Sequence, residues 1–401
     1  MQRCSRCFSL LLGVAGRWRS IRLALTRRAD LHAVQQLTSE DAPLLESLGL
    51  SCSRLVDEAE VDDEAIYSFQ LAEAPTLRRL GYSGSYESLP KNVNWSNLVF
   101  LKLHLWTDSE INTPTPIIPS PFHFLRDAAG LEVLDLSISR YETRFDPIDP
   151  IHLPQLTKLR ISLHGLNEQE DISGTIRQFD MPQLRTLDFL LAAATKLTDV
   201  VAPLPRLTSL SISLQLYPSM DLAAGLALIP HLERLRILGE PVLSGAPDNE
   251  AMETDSLFLE RFIPRTDAGA DAPAPLCPAL HTFEYLFVNQ VTDALVVRFL
   301  KSRTSPLPAP DPGITVARLK RFYFYPFREA QLDITAALAS ALADGLVMGL
   351  GHRQSSRASY SVLEGTEHDP ARSKNGVGHE WLQHEEFNED FRLVGGWVAG
   401  L

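Results

Sequence analysis

A chain of 401 residues with 45% apolar side chains can bury a large core and is long enough for two or three ordinary domains. Its formal charge of −13 argues against nucleic acid as the main partner. Four scattered cysteines, Cys4, Cys7, Cys52 and Cys277, outline neither a disulfide framework nor a zinc site, and no apolar run approaches the ~18 residues of a membrane span.

Residues 1–29 carry seven arginines and no acid, with Leu10, Leu11, Val14, Ile21 and Leu25 at helical spacing. That composition fits a mitochondrial presequence. It fits equally a first helix over residues 9–16 that leads into a strand-like stretch, WRSIRLAL, at Trp18. Cys4 and Cys7 form a lone C-x-x-C with no second pair beside it, so no metal is expected there. Asn94-Trp95-Ser96 is a formal glycosylation sequon that matters only in a secreted chain.

From Leu45 onward one phrase recurs: L-x-x-L-x-φ, where φ is apolar, usually introduced by proline. It is clearest as LEVLDL at Leu131, LTKLRI at Leu156, LRTLDF at Leu184, LTSLSI at Leu207 and LERLRI at Leu232. Weaker copies are LESLGL at Leu45, LRRLGY at Leu77, LVFLKL at Leu98, LHTFEY at Leu280 and LKRFYF at Leu319, and WRSIRL at Trp18 fits as the first. Successive starts from Leu45 lie between 21 and 48 residues apart, in or near the leucine-rich-repeat range, with insertions in the longest steps. Residues 4 and 6 of each copy point to one side of a short strand and residues 3, 5 and 7 to the other. One such strand cannot bury its leucines alone, so neighbouring copies must stack. The expected fold is therefore α/β: an irregular leucine-rich-repeat solenoid over residues 1–350, with a curved parallel sheet on the concave face and helices or loops outside. The position three residues past φ holds Trp106, Ser139, His164, Ala192, Gln215 and Glu240, so no asparagine ladder can form there.

Between the copies, residues 57–64 hold six acids and precede an expected helix at residues 65–72, where they favour its N-terminus. Four prolines make residues 111–121 a loop, and residues 122–129 and 220–229 read as helices. Residues 240–278 and 303–315 are insertions; the first reads as a mobile excursion with one apolar island at residues 257–263. Residues 351–401 lack the phrase and read as a mostly disordered tail. Within it His379-Glu380-Trp381-Leu382-Gln383-His384 only imitates a metalloprotease motif, because the second histidine falls one residue too far along a helix to share a metal. No phosphate loop, dinucleotide fingerprint or nucleophile elbow is present, so neither an enzyme nor a cofactor is expected.

Several segments, taken in order, resemble fungal, basidiomycete-type F-box/leucine-rich-repeat proteins. LLGVAGRWRSIRLAL resembles the segment that follows the F-box, and DAPLLESLGLS the first clear repeat. Thr292-Asp293-Ala294-Leu295 through Phe299-Leu300-Lys301-Ser302-Arg303 resembles a helix near the end of those proteins. LKRFYFYPF, then Gln331-Leu332-Asp333-Ile334 and a helix ending Asp344-Gly345-Leu346-Val347, follow in the same order. The resemblance implies a substrate-recognition module of a ubiquitin ligase. Only about seven residues precede the matching region, too few for the three-helix F-box, so the ligase adaptor is not an expected partner. The reading is a non-enzymatic protein-interaction module, monomeric, cytoplasmic or nuclear, whose partner is another protein and not nucleic acid or a membrane. The alternatives are a mitochondrially imported scaffold that loses residues 1–29, and a free-standing repeat protein.

The expected working surface is the concave strand face. At residue 5 of successive copies stand Lys102, Asp135, Arg160, Asp188, Ser211, Arg236, Glu284 and Tyr323, lateral neighbours if the strands stack in register. Their signs largely alternate, which suits a ladder of internal ion pairs as well as a partner-binding stripe. At the aromatic end Phe322 and Phe324 alternate inward, which leaves Tyr323 and Tyr325 for a partner.

Overall fold

A computed structural model of the chain describes residues 11–25, 33–52, 69–86, 89–90, 92–106, 122–139, 150–164, 176–191, 196–213, 219–239, 258–264, 274–286, 291–304, 316–326 and 328–352. Residues 1–352 form one compact unit and 353–401 a second, so the expected tail and its histidine pair lie outside the described residues.

Each copy of the phrase except that at Leu319, whose amide donates to Arg303 O, begins with a tight turn. The amide of its first leucine donates to the carbonyl three residues back, as in Leu131 N to Ala128 O at 3.0 Å and Leu184 N to Met181 O at 3.1 Å. The next two amides then both donate to one carbonyl of the preceding copy. Thr157 and Lys158 reach Glu132 O at 2.9 and 3.1 Å, and Arg185 and Thr186 reach Thr157 O at 2.9 and 3.0 Å. Repetition of this pair of bonds from copy to copy locks the register before the strand begins, and a one-residue slip would turn every leucine outward.

The strands that follow are β1 (Ser20–Leu25), β2 (Ser47–Cys52), β3 (Arg79–Ser85), β4 (Phe100–Trp106), β5 (Val133–Ser139), β6 (Ile151–His152), β7 (Lys158–His164), β8 (Phe179–Asp180), β9 (Thr186–Leu191), β10 (Ser209–Ser213), β11 (Arg234–Leu238), β12 (Thr282–Leu286), β13 (Arg321–Tyr325) and β14 (Val347–Leu350). Twelve of them form a single sheet in chain order, each parallel to the next; β6 and β8 pair separately. Among the described residues the α-helices with stated bounds are short: α1 (Leu197–Val201), α2 (Ser219–Ala227), α3 (Asp293–Thr304), α4 (Ile334–Ala337) and α5 (Ala339–Ala343). Among the described residues no helix is long and apolar enough to cross a membrane.

Register places residue 4 of every copy in one line. Leu101, Leu134, Leu159, Leu187, Leu210 and Leu235 are consecutive partners, all completely buried. Residue 6 forms a second line, from Leu103 through Leu136, Ile161, Phe189 and Ile212 to Ile237. Each fully buried Leu, Ile or Phe contributes roughly 1.5–3 kcal/mol, so these two lines are the main support of the sheet. Without an asparagine beyond φ to turn the chain, β4, β5 and β7 run on to seven residues, and Trp106, Ser139 and His164 pair within the ladder.

Several local expectations need correction. Where a helix was expected at residues 122–129, a 3-10 turn spans His123–Asp127; another spans Gln70–Glu73 in place of residues 65–72, whose first part is outside the described residues, and Ala15–Arg17 is a third. Residues 240–278 are not wholly an excursion: Phe258, Leu259 and Phe262 are buried, and Phe262 stacks on Phe283 with centroids 5.5 Å apart. In the second insertion Arg303 and Thr304 belong to α3 and are buried. The last helix stops before Val347. Gly345 adopts φ +95°, its amide and that of Leu346 cap α5 on Leu342 O and Ala341 O, and β14 follows as a final strand. The unit continues past residue 350, since Gly351 N donates to Phe324 O at 3.1 Å.

Candidate interaction face

The side of the sheet away from the leucine lines carries residues 3, 5 and 7 of every copy. Register makes the residue-5 side chains true lateral neighbours: Lys102, Asp135, Arg160, Asp188, Ser211, Arg236, Glu284 and Tyr323 run in that order across β4 to β13. At the ~4.8 Å strand spacing, a short carboxylate between two long cations is enclosed by them. Asp135 Oδ2 lies 3.3 Å from Lys102 Nζ and 3.8 Å from Arg160 Nη1, while Arg160 Nε donates to Asp188 Oδ2 at 2.7 Å. Arg236 Nε stands 3.3 Å from Glu284 Oε2. Internal pairing is thus present along the row, and these pairs are not of the exposed kind. Asp135 and Asp188 are each 3% exposed and Glu284 2%, so breaking one would strand a buried charge.

Electrostatics follow from that burial. For Arg160 desolvation works to lower the pKa, but Asp188 and Asp135 outweigh it and the guanidinium is held more firmly charged. At Glu284 burial wins instead: the carboxyl is pushed up despite Arg236 and Arg234, with Asp188 adding repulsion. Ser211 interrupts the alternation between Asp188 and Arg236. Its hydroxyl and that of Ser209 on the same strand and face are buried and find no hydrogen-bond partner among the described residues.

The aromatic end divides as the alternation requires. Phe322 and Phe324 are completely buried, stacked on each other at 6.1 Å, whereas Tyr323 and Tyr325 are half-buried on the polar side. Gly349 of β14 pairs with Tyr323, and a Cβ there would meet the ring at 2.6 Å, so only glycine lets the tyrosine lie across the last strand. Burial, helped by Tyr323 and Glu284, pushes the Tyr325 hydroxyl up to about 12.

Two features escape a reading based on residue 5. Residue 3 places Arg79, Lys158, Arg234 and Arg321 on the same side, a second basic row that the alternation of the phrase already implies. Asp293, the first residue of α3, is completely buried; it accepts hydrogen bonds from Arg328 Nη2 and from the amides of Gln331 and Leu332 at 2.6 and 2.9 Å, with His352 Nε2 3.4 Å away. Burial pushes its carboxyl up, but the bond from Arg328 and the two amides prevail and hold it below the usual carboxylate range. No spacing in the sequence signals this knot, because its members lie 35 to 59 residues apart. No group of three or more His, Cys, Asp or Glu side chains able to hold a metal occurs among the described residues. No protein-family model matches the chain, and no curated protein matches it.

Proposed function

We propose that this chain is a non-enzymatic protein-interaction module that works through the polar side of its parallel sheet. The observation that carries the reading is the continuity of that side: twelve strands in one register present residues 3, 5 and 7 as unbroken rows rather than as a closed cavity. A row of this kind suits an extended or broad partner, and half-buried Tyr323 and Tyr325 supply aromatic area at its end. The two lines of leucines support taking the phrase as a leucine-rich repeat. The order of segments that resembles fungal F-box/leucine-rich-repeat proteins supports a role in selecting substrates for a ubiquitin ligase.

Affinity capture with quantitative mass spectrometry tests this reading. The full chain is compared with a Tyr323→Ala/Tyr325→Ala variant and with Arg298→Ala, whose side chain is exposed on α3. The reading expects co-purifying proteins that are lost from the double variant and kept by Arg298→Ala. Equal recovery from all three would remove the polar side from the function.

A further inference from the structure

The last strand leaves one edge of the sheet open. β14 ends the strand order, and among the described residues no other strand pairs with its outer edge. Val347 N and Gly351 N donate inward, to Lys320 O at 2.9 Å and Phe324 O at 3.1 Å. Backbone groups alternate along a strand, so the amides and carbonyls of Met348 and Leu350 face outward. Natural edges are guarded by charge or proline. β14 reads Val-Met-Gly-Leu and has neither, whereas β1 at the other end carries exposed Arg22. Val347 is 51% exposed, and Leu332, just before α4, is 45% exposed. A terminal copy with a bare apolar end is an association surface, because an end copy normally carries a polar outer face.

We propose that β14 joins two copies of this chain, paired antiparallel along their outer edges about a two-fold axis at Gly349. The outward groups set the register. Met348 of one copy faces Leu350 of the second, and each such pair exchanges two backbone hydrogen bonds. Gly349 then faces Gly349 of the second copy, and Val347 faces Gly351, in the pairs whose side chains approach most closely. Gly351 lies under a ring: a Cβ there would stand 2.3 Å from Tyr325 Cδ1. The exposed Val347 methyls therefore meet the Tyr325 ring of the second copy, a favourable cross-strand pair. At Gly349 a Cβ would meet Tyr323 at 2.6 Å, so the strand itself puts no side chain on the axis. Charge favours a second copy over a foreign strand. Lys320 is exposed where β14 begins, beside Arg318 and Asp344, which pair with each other at 3.7 Å. Glu329 and Asp333 are exposed where β14 ends: Gln331 and Leu332 between them bind Asp293, and Asp293 lies 3.4 Å from His352. Antiparallel pairing sets the basic start of each strand beside the acidic finish of the other. The two-fold consumes both β14 edges, so association stops at two copies. The dilute chain is the monomer expected from the sequence, with β14 an ordinary end strand.

Sedimentation equilibrium of the full chain from ~1 to ~100 μM tests this and is expected to show a monomer–dimer equilibrium. Val347→Lys, at an exposed position, and Met348→Pro, whose lost amide faces outward, should each weaken the dimer about tenfold or more. Lys320→Glu should weaken it about fivefold, and Lys320→Glu/Glu329→Lys should restore it, since the swapped charges meet again across the axis. Leu228→Lys, at a position 52% exposed and away from β14, should leave it unchanged. Hydrogen exchange should protect the Met348 and Leu350 amides as concentration rises and leave β1 unaffected. Circular dichroism and thermal midpoints verify that each variant is folded, and Val347→Lys guards against Met348→Pro failing to fold. A monomer throughout the range overturns the proposal, as does a dimer indifferent to both β14 variants. Equal loss in Leu228→Lys would show general adhesion, and growth beyond two copies with protection of β1 would show end-to-end stacking; either overturns it. A monomer whose Met348 and Leu350 amides are protected only by an added alternating Thr-Val peptide overturns it in favour of a foreign strand.

Discussion

Leu159 sits at the middle of the residue-4 line, between Leu134 and Leu187, and is completely buried. Leu159→Ala is expected to destabilise the fold by about 2–5 kcal/mol, since a cavity opens toward both neighbours; urea unfolding measures it, and a loss under about 1 kcal/mol would deny it a core role. Arg160, beside it on the other side, holds both Asp135 and Asp188. Arg160→Ala should cost about 3 kcal/mol because buried Asp188 loses the cation paired with it, while Asp135 keeps only Lys102. Lys102→Ala should cost about 1 kcal/mol or less, because Asp135 keeps Arg160. Comparable losses from the two would show that the row is not a buried ladder. Asp293 gives a pH signature. Its folded pKa lies below the ordinary value, so the ionised group stabilises the fold above pH ~4 and that contribution drains away as pH falls through the depressed value. Asp293→Asn should lower the urea midpoint at neutral pH, and the gap from the parent should narrow on acidification. A gap independent of pH would mean that the carboxylate charge is not what binds Arg328 and the loop amides.

At the scale of elements, the strands are legible and the connections are not. Leu-x-x-Leu-x-φ identifies β2 to β13 of the main sheet because alternation inside the phrase is the physical requirement for one buried side. It also brings the residue-5 neighbours together correctly, yet not their burial, since enclosure of Asp135 depends on the reach of cations from adjacent strands. β14 is invisible: its copy has Gly345 and Met348 where the phrase wants leucines, and only the cap at Gly345 starts the strand. Apolar spacing of three or four residues fits an α-helix and a 3-10 turn alike, which is why His123–Asp127 is read too long. Composition marks the apolar island at residues 257–263 but not where Phe262 within it packs. Its ring packs between Phe258, Phe283 and Phe299, so Phe262→Ala should destabilise by about 3–5 kcal/mol. A neutral effect in chemical denaturation would return that segment to the status of an insertion.

Across the whole sheet, every strand pairs only with the copies before and after it, so stability builds from neighbour to neighbour. β1 and β14 each have one partner in the sheet, whereas β7 and β9 have two and lie near its middle. Opening an end copy exposes one interface, and opening a central copy exposes two. Val347 of β14 is already 51% exposed, while the leucines of the central lines are completely buried. Native-state hydrogen exchange should therefore show graded opening: amides of β1 and β14 exchange through low-energy local events, and those of β7, β9 and β10 only near the global unfolding free energy. Ile21→Ala, on β1, should accelerate exchange in β1 and β2 while leaving β9 and β10 unchanged. Leu159→Ala should lower protection in all the central strands together. Equal protection along the sheet, or an Ile21→Ala effect that reaches β10, would mean that the unit unfolds as one block and that its copies are not coupled by nearest-neighbour contacts alone.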